Sequence, residues 1–228
     1  MNSALFITGT DTGIGKTHVA VALLHALAAS GLRAVGMKPV AAGVDARDGM
    51  HADVAALVAA SNVDAPRAQV NPYCFDAAIA PHVAARLASR SIDLGVIEQG
   101  FRALAARADV VIVEGAGGAL VPLSTREDML DLPARLDIAV VLVVGIRLGC
   151  INHALLTASA IRARGLRFAG WIANRVDPAM QNADDSIAAI ADRLGRAPAA
   201  DLAFAQAQID AATLAALEVV GAGVAQGR

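Results

Sequence analysis

The segment Gly9-Thr10-Asp11-Thr12-Gly13-Ile14-Gly15-Lys16-Thr17 carries the clearest chemistry in this chain. Its glycines and small polar residues let backbone N–H groups turn inward, and a helix opening at Lys16 would add its dipole, so a polyphosphate fits there. Lys16 would reach the outer phosphates, and the Thr17 hydroxyl would take a Mg²⁺ position. The strict phosphate-loop motif has four residues between its outer glycines, whereas Gly9 and Gly15 are separated by five, Thr10 standing at the strict position. The loop is therefore a variant, and its context, an apolar strand before and a helix after, supplies the specificity. The bland alternative is a glycine turn that only caps a helix.

Magnesium is held by one or two carboxylates together with phosphate oxygens. Val110-Val111-Ile112-Val113-Glu114-Gly115-Ala116-Gly117-Gly118 offers one, because Glu114 ends an apolar run and the glycines after it permit close approach to a ligand. For the second carboxylate, Asp45, Asp48 and Asp53 all follow the second strand, and Asp53 falls in the first turn of an expected helix, where its ordinary role is capping. Of 19 basic residues only Lys16 and Lys38 are lysines. Lys38 sits at the end of the second strand, before Pro39, on the edge where doubly wound sheets bind ligands. A lysine is a compact point charge, an arginine a planar fork. Two lysines beside a phosphate loop therefore suggest Mg-dependent phosphoryl transfer from ATP or GTP, with both neutralising charge that develops in the transition state.

The elements that must hold these residues alternate. Short β-branched runs at 4–8, 33–38, 109–114, 138–144 and 168–174 are expected strands, several apolar throughout as burial on both faces requires. Expected helices lie at 16–30, 51–61, 81–89, 94–107, 151–164 and 183–194, with one more at 210–218. The pattern predicts an α/β fold, a mostly parallel, doubly wound sheet flanked by helices. With no repeat and no long Pro/Ser linker, one domain over residues 1–228 is expected.

Composition excludes several classes. The formal charge of −2, the pI near 6.2 and the scattered arginines argue against nucleic acid as a partner. The longest apolar run, 138–146, is far short of the roughly 20 residues a membrane span needs. The N-terminus lacks a basic region and leads straight into the glycine loop, unlike a secretory signal, and Cys74 and Cys150 suggest neither a disulfide framework nor a metal knuckle. A cytoplasmic location is expected. His82 and His153 have no partner spacing that suggests a metal or a triad, and Cys150 reads as a small buried residue.

The segments 9–17, Lys38-Pro39-Val40, Asn71-Pro72-Tyr73, Ala80-Pro81-His82, 113–118 and Leu148-Gly149-Cys150-Ile151-Asn152-His153 together closely resemble the dethiobiotin synthetases, in order and spacing. The resemblance implies a P-loop NTPase fold and an ATP-dependent cyclo-ligase of biotin synthesis that joins CO₂, or bicarbonate as its source, to 7,8-diaminopelargonate. A substrate amine captures CO₂ as a carbamate, a carbamate oxygen attacks the γ-phosphate, and the second amine closes the ring on the mixed anhydride. It implies catalytic roles for Lys16, Lys38 and Thr12, and a metal site at Thr17, Asp53 and Glu114. Nucleotide contacts would come from Gly13, Ile14, Gly15, Lys16, Thr17, His18, Asp53, Glu114, Gly115, Ala116, Gly117, Asn174 and Arg175. Substrate contacts would come from Thr12, Lys38, Ala42, Gly118, Gly149, Cys150 and Asn152. The helix opening at 149–152 has free N–H groups suited to the substrate's tail carboxylate, and in the family that helix end comes from the partner subunit of a homodimer.

The sequence departs from the family pattern at Gly13, where many relatives carry an acidic residue, and at Ala42, where a hydroxyl residue often stands. The proline-containing adenine segment is matched only loosely by residues 194–199. The alternative on the same fold is a partitioning-type ATPase switch. Those proteins carry a signature lysine where this chain has Asp11, and often a basic amphipathic C-terminal helix, whereas residues 209–220 contain no basic residue.

Overall fold

The computed structural model describes residues 3–44, 50–206 and 208–219. The chain runs β1 (Ser3–Gly9), α1 (Lys16–Ala29), β2 (Ala34–Met37), β3 (Val40–Ala42), α2 (Ala52–Ala60), α3 (Arg67–Val70), β4 (Tyr73–Phe75), α4 (Pro81–Leu87), α5 (Leu94–Ala105), β5 (Val110–Glu114), α6 (Asp131–Leu136), β6 (Ala139–Ile146), α7 (Cys150–Ala163), β7 (Phe168–Arg175), α8 (Ala183–Leu194), β8 (Ala200–Leu202) and α9 (Ala211–Ala216). Six strands form a sheet in the order β2-β5-β1-β6-β7-β8, every pair parallel. A parallel sheet covered by helices buries both faces, so its strands are apolar throughout. Phe6, Val111, Val113, Leu142 and Trp171 pack into one core, while Leu5, Ile7, Ile112, Val143 and Ile172 pack with α1 into the other.

β1 connects through α1 to β2 on one side of the sheet, while its neighbour β6 connects through α7 to β7 on the other, and the crevice beyond their carboxyl ends is where such folds bind ligands. Register then fixes the levels of the site residues. Ile7 of β1 is level with Glu114 of β5, and Met37 of β2 with Val113, so Lys38 and Glu114 leave neighbouring strands side by side.

Three short strands, β3, β4 and β8, and two short helices, α3 and α6, add to the expected elements. Pro39 does stop β2, since it has no N–H to give the sheet. The Lys38 N–H goes instead to the Val70 carbonyl at 2.9 Å, and the chain resumes as β3, paired in parallel with β4. No helix among the described residues is long and apolar enough to cross a membrane.

Candidate active site

Above the carboxyl edge of the sheet lies a cavity of about 820 Å³. Thr12, Gly13, Gly15, Lys16, Thr17 and His18 form one wall, Lys38, Asp53 and Glu114 the floor, and Ala41, Ala42, Ala78, Ile79, Pro81 and Val121 an apolar side.

The phosphate loop is built by its glycines. Gly15 takes φ +86° at the N-cap of α1, and a Cβ there would lie 2.2 Å from the amide nitrogen of Asn174, so no side chain fits. That same Asn174 amide donates to the Ile14 carbonyl at 2.8 Å, making Asn174 a strut beneath the loop. Ile14 is buried, its side chain filling space beside Gly9 and Gly145. Gly117 takes φ +64°, where a Cβ would crowd Val121 and approach Thr12 Oγ1, whereas a Cβ on Gly118 would meet the Gly9 carbonyl oxygen at an ordinary 3.6 Å.

Three charged groups converge on the floor, with Lys16 on the adjoining wall. The Lys38 ammonium donates to Glu114 Oε1 at 2.6 Å and lies 2.8 Å from Asp53 Oδ2, with the Gly115 carbonyl at 3.2 Å. Thr17 Oγ1 donates to the same Glu114 oxygen at 2.8 Å. Lys16 Nζ donates to the Asp11 carbonyl at 2.8 Å. Both lysines are buried, 6% and 3% exposed, and Glu114 is fully so, which matters because charge taken from water must be compensated locally.

The titration of the cluster follows from that burial. Desolvation and the nearby Lys38 push Lys16 down to about 8. Desolvation also acts against the Lys38 cation, but Glu114 and Asp53 outweigh it and hold Lys38 above its ordinary value. Burial raises Asp53 too, yet the Lys38 ammonium more than offsets it and keeps Asp53 below the usual carboxylate range. For Glu114 burial prevails over the pull of Lys38, aided by repulsion from Asp53, and the carboxyl lies above its usual value. Lys38 is thus held charged by Glu114 first, its shorter partner, and by Asp53 second.

The expected site residues therefore separate into groups. Thr12, Gly13, Gly15, Lys16, Thr17, His18, Lys38, Ala42, Asp53, Glu114, Ala116 and Gly117 line the cavity. Gly115 is not part of the lining, but its carbonyl accepts from the Lys38 ammonium at 3.2 Å. Arg175 is tied to Asp201 at 2.6 Å and to Asp184, away from the floor. Gly149 is the N-cap of α7 with φ +93°, Cys150 is buried in the first turn and Asn152 is exposed. Neither these three nor Asn174 and Gly118 line the cavity of this single chain. Asp45 and Asp48 lie outside the described residues.

One of the two readings of Asp53 is set aside. Asp53 does not cap α2, because His51 does, its Nδ1 accepting the Asp53 N–H at 3.1 Å, which leaves the Asp53 carboxylate free to turn toward Lys38. His51 lines the cavity and was not singled out in the sequence, although its place two residues before Asp53 at a helix start is the signal that could have found it. Arg147 was missed as well. Its guanidinium donates to Asp11 Oδ2 at 2.5 Å.

A family model described as an AAA domain matches residues 3–219. The ATP-dependent dethiobiotin synthetase BioD of Nitrosospira multiformis is 55% identical over 194 residues, covering 85% of this chain and 85% of that protein. The protein of the same name from Aromatoleum aromaticum is 54% identical over 193 residues, 84% of this chain and 86% of its own length. Solved structures resemble it more distantly. The MinD cell division protein of Aquifex aeolicus matches with a TM-score of 0.53 at 16% identity, covering 88% of this chain and 81% of that one. The signal recognition particle receptor FtsY of Elizabethkingia anophelis matches with a TM-score of 0.56 at 18% identity, over 95% and 65%. Likenesses at that identity establish the P-loop NTPase fold and nothing finer.

Proposed function

The chain belongs to the ATP-dependent dethiobiotin synthetases, and on that premise we propose how its own residues carry the reaction. It is a ligase of biotin synthesis, joining CO₂ to 7,8-diaminopelargonate with ATP and closing the ureido ring of dethiobiotin, with ADP and phosphate as the other products. The chemical difficulty is electrostatic, since the substrate carbamate and the γ-phosphate are both anions that must meet. In our reading the whole chain acts as one synthetase domain.

The loop N–H groups and the N-terminus of α1 would hold the phosphates. Lys16 would give up the Asp11 carbonyl for an outer phosphate oxygen, and Lys38, on the cavity floor, would face the carbamate as it attacks. Thr12 would hold the diamine and its carbamate, while Asn174 would steady the loop beside the adenine. The convergence of Lys38 with Asp53, and of Lys38 and Thr17 on one Glu114 oxygen, is the observation that carries this reading.

A divalent cation fits the same residues. The second oxygen of Glu114, Oε2, is buried with no hydrogen-bond partner among the described residues, and Thr17, Asp53 and Glu114 form an all-oxygen donor set suited to Mg²⁺. When bound, Mg²⁺ would offset phosphate charge. No group of three or more His, Cys, Asp or Glu side chains placed to hold a metal occurs among the described residues, so phosphate oxygens would complete the shell.

We also propose a homodimer. Leu148, Ile151 and Leu156 are exposed apolar side chains on and just before α7 that a second copy would cover. Gly149 and Asn152, at the start of α7, would then turn their backbone N–H groups to the neighbour's cavity and hold the substrate's carboxylate, whereas the Cys150 N–H is already given to the Arg147 carbonyl at 3.0 Å and would serve only after giving that bond up.

Purified protein supplied with ATP, Mg²⁺, bicarbonate and 7,8-diaminopelargonate should release phosphate only while the diamine is present. Equal turnover without it would return the chain to the ATPase-switch reading.

A further inference from the structure

Asp11 lies at the tip of the phosphate loop and has no role in the mechanism above, yet three of its oxygens are engaged. Its carbonyl accepts from Lys16 Nζ at 2.8 Å, and its carboxylate Oδ1 accepts from the Thr12 N–H at 2.7 Å. Those two backbone groups, the Asp11 C=O and the Thr12 N–H, belong to one peptide unit. Its orientation therefore decides where both Lys16 and Thr12 start. The remaining carboxylate oxygen, Oδ2, accepts from Arg147 at 2.5 Å.

Arg147 is well placed to act as the fixed end. It directly follows β6, which is hydrogen-bonded to β1 through to the loop, with Gly9 level with Val143 and the Thr10 N–H donating to the Val143 carbonyl at 3.1 Å. The loop is thus anchored to β6 by its backbone on entry and by Arg147 at its tip. Once a phosphate draws Lys16 from the Asp11 carbonyl, the peptide unit keeps only the grip that runs through the Asp11 carboxylate.

We infer that Arg147 is a positioning residue of the ligase reaction, holding the Asp11 carboxylate so that the Asp11–Thr12 peptide stays oriented when Lys16 moves onto the nucleotide. The inference rests on the roles proposed above for Lys16 and Thr12. Both side chains of the pair are nearly half exposed, 42% and 48%, so its contribution to global stability is small. Its effect falls instead on geometry, where a misplacement of a fraction of an ångström is costly.

A double-mutant cycle on the full-length protein separates these roles. Asp11→Asn keeps an acceptor for the Thr12 N–H but loses the charge pair, and Arg147→Gln removes the other partner. We expect Arg147→Gln to lower kcat of diamine-dependent phosphate release about tenfold, with an unchanged urea unfolding midpoint and oligomeric state. In the Asp11→Asn background the same substitution should have no further effect, because its target is already gone. Arg147→Lys, which keeps the charge, should recover most of kcat. The inference is overturned by a kcat for Arg147→Gln within twofold of the parent. Losses that multiply in the double variant also overturn it, since Arg147 would then act on something other than Asp11. So does a loss that Arg147→Lys leaves unrepaired, or one that tracks a lowered midpoint or a changed oligomeric state. Absence of diamine-dependent turnover in the parent protein would instead defeat the ligase mechanism itself.

Discussion

Two regions of this molecule handle positive charge in opposite ways. At the carboxyl edge of the sheet both lysines are buried, and one of them shares two carboxylates within hydrogen-bond distance. Around the outside, arginines pair with acids in the open, as Arg33 does with Asp109 and Arg102 with Glu98, where the arginine side chains are 61% and 75% exposed. Inside, every charge depends on its neighbours, because water cannot replace a lost partner. Outside, water stands ready to do so. The same kind of ion pair therefore has different weight in the two places.

The strongest contrast concerns Glu114. Removing it as Glu114→Ala leaves Lys38 buried with Asp53 as its remaining carboxylate partner, and loss of one member of a buried pair costs about 3–5 kcal/mol. A urea titration should show that loss as a lower midpoint with an unchanged slope. A loss below about 1 kcal/mol would mean that the floor is as wet as the rim.

The next contrast exchanges one kind of cation for the other. Lys38→Arg puts a planar fork where a compact ammonium meets Glu114 and Asp53 at 2.6 and 2.8 Å. We expect kcat of diamine-dependent phosphate release to fall at least ~100-fold, in line with the loss of one transition-state donor. Near-normal kcat would make Lys38 a bystander of the chemistry.

A third contrast lies in pH. Lys16, pushed down to about 8 by burial, loses its proton in the ligand-free protein as pH rises through that value, whereas an unfolded chain keeps it to its ordinary value of 10.5. The unfolded state therefore binds more protons between those limits, and this group alone makes stability rise with pH across that window. Nucleotide binding has the opposite sign. A phosphate anion needs Lys16 charged, so above pH 8 each binding event takes up one proton and affinity falls by about tenfold per pH unit. Calorimetry of MgATP binding in buffers of different ionisation enthalpy would read that proton directly. Affinity flat from pH 7 to 9.5 would show that Lys16 is not the group that titrates.

The sequence makes some of this arrangement readable and hides the rest for physical reasons. Long continuous apolar runs ending in Gly9, Glu114 and Ile146 mark central strands of a parallel sheet, and a loop of glycines before Lys16 marks a phosphate cradle without tertiary information. Strands such as Val40–Ala42 and Tyr73–Phe75 are three residues each and exist because they pair with one another, so no local periodicity announces them. Asp53 could be read as a cap or as a ligand until the structure assigned the cap to His51. The pairing of Arg147 with Asp11 spans 136 positions and depends on β6 lying beside β1, which only the strand order supplies. The apolar wall from Ala78 to Pro81 carries no reactive group, so only the family resemblance, through Ala80 and Pro81, and no chemistry of its own, marks it in the sequence.

The smallest expected effect belongs to the rim, and it sharpens the comparison from the other side. Arg33 meets Asp109 through two guanidinium hydrogen bonds, at 2.7 and 3.3 Å, while its own backbone N–H also binds that carboxylate at 2.9 Å. By geometry alone it is better made than the contact between Lys38 and Asp53. Yet Arg33→Gln leaves the backbone bond in place, frees a side chain already mostly in water, and exposes an acid that water can solvate. The urea midpoint of that variant should match the parent within error at low salt and at 1 M NaCl, where the Debye length shrinks to about 3 Å. A clear drop at low salt that disappears at high salt would show that exposed arginines also stabilise this fold. In that event burial alone would not separate the two lysines from the other seventeen basic residues.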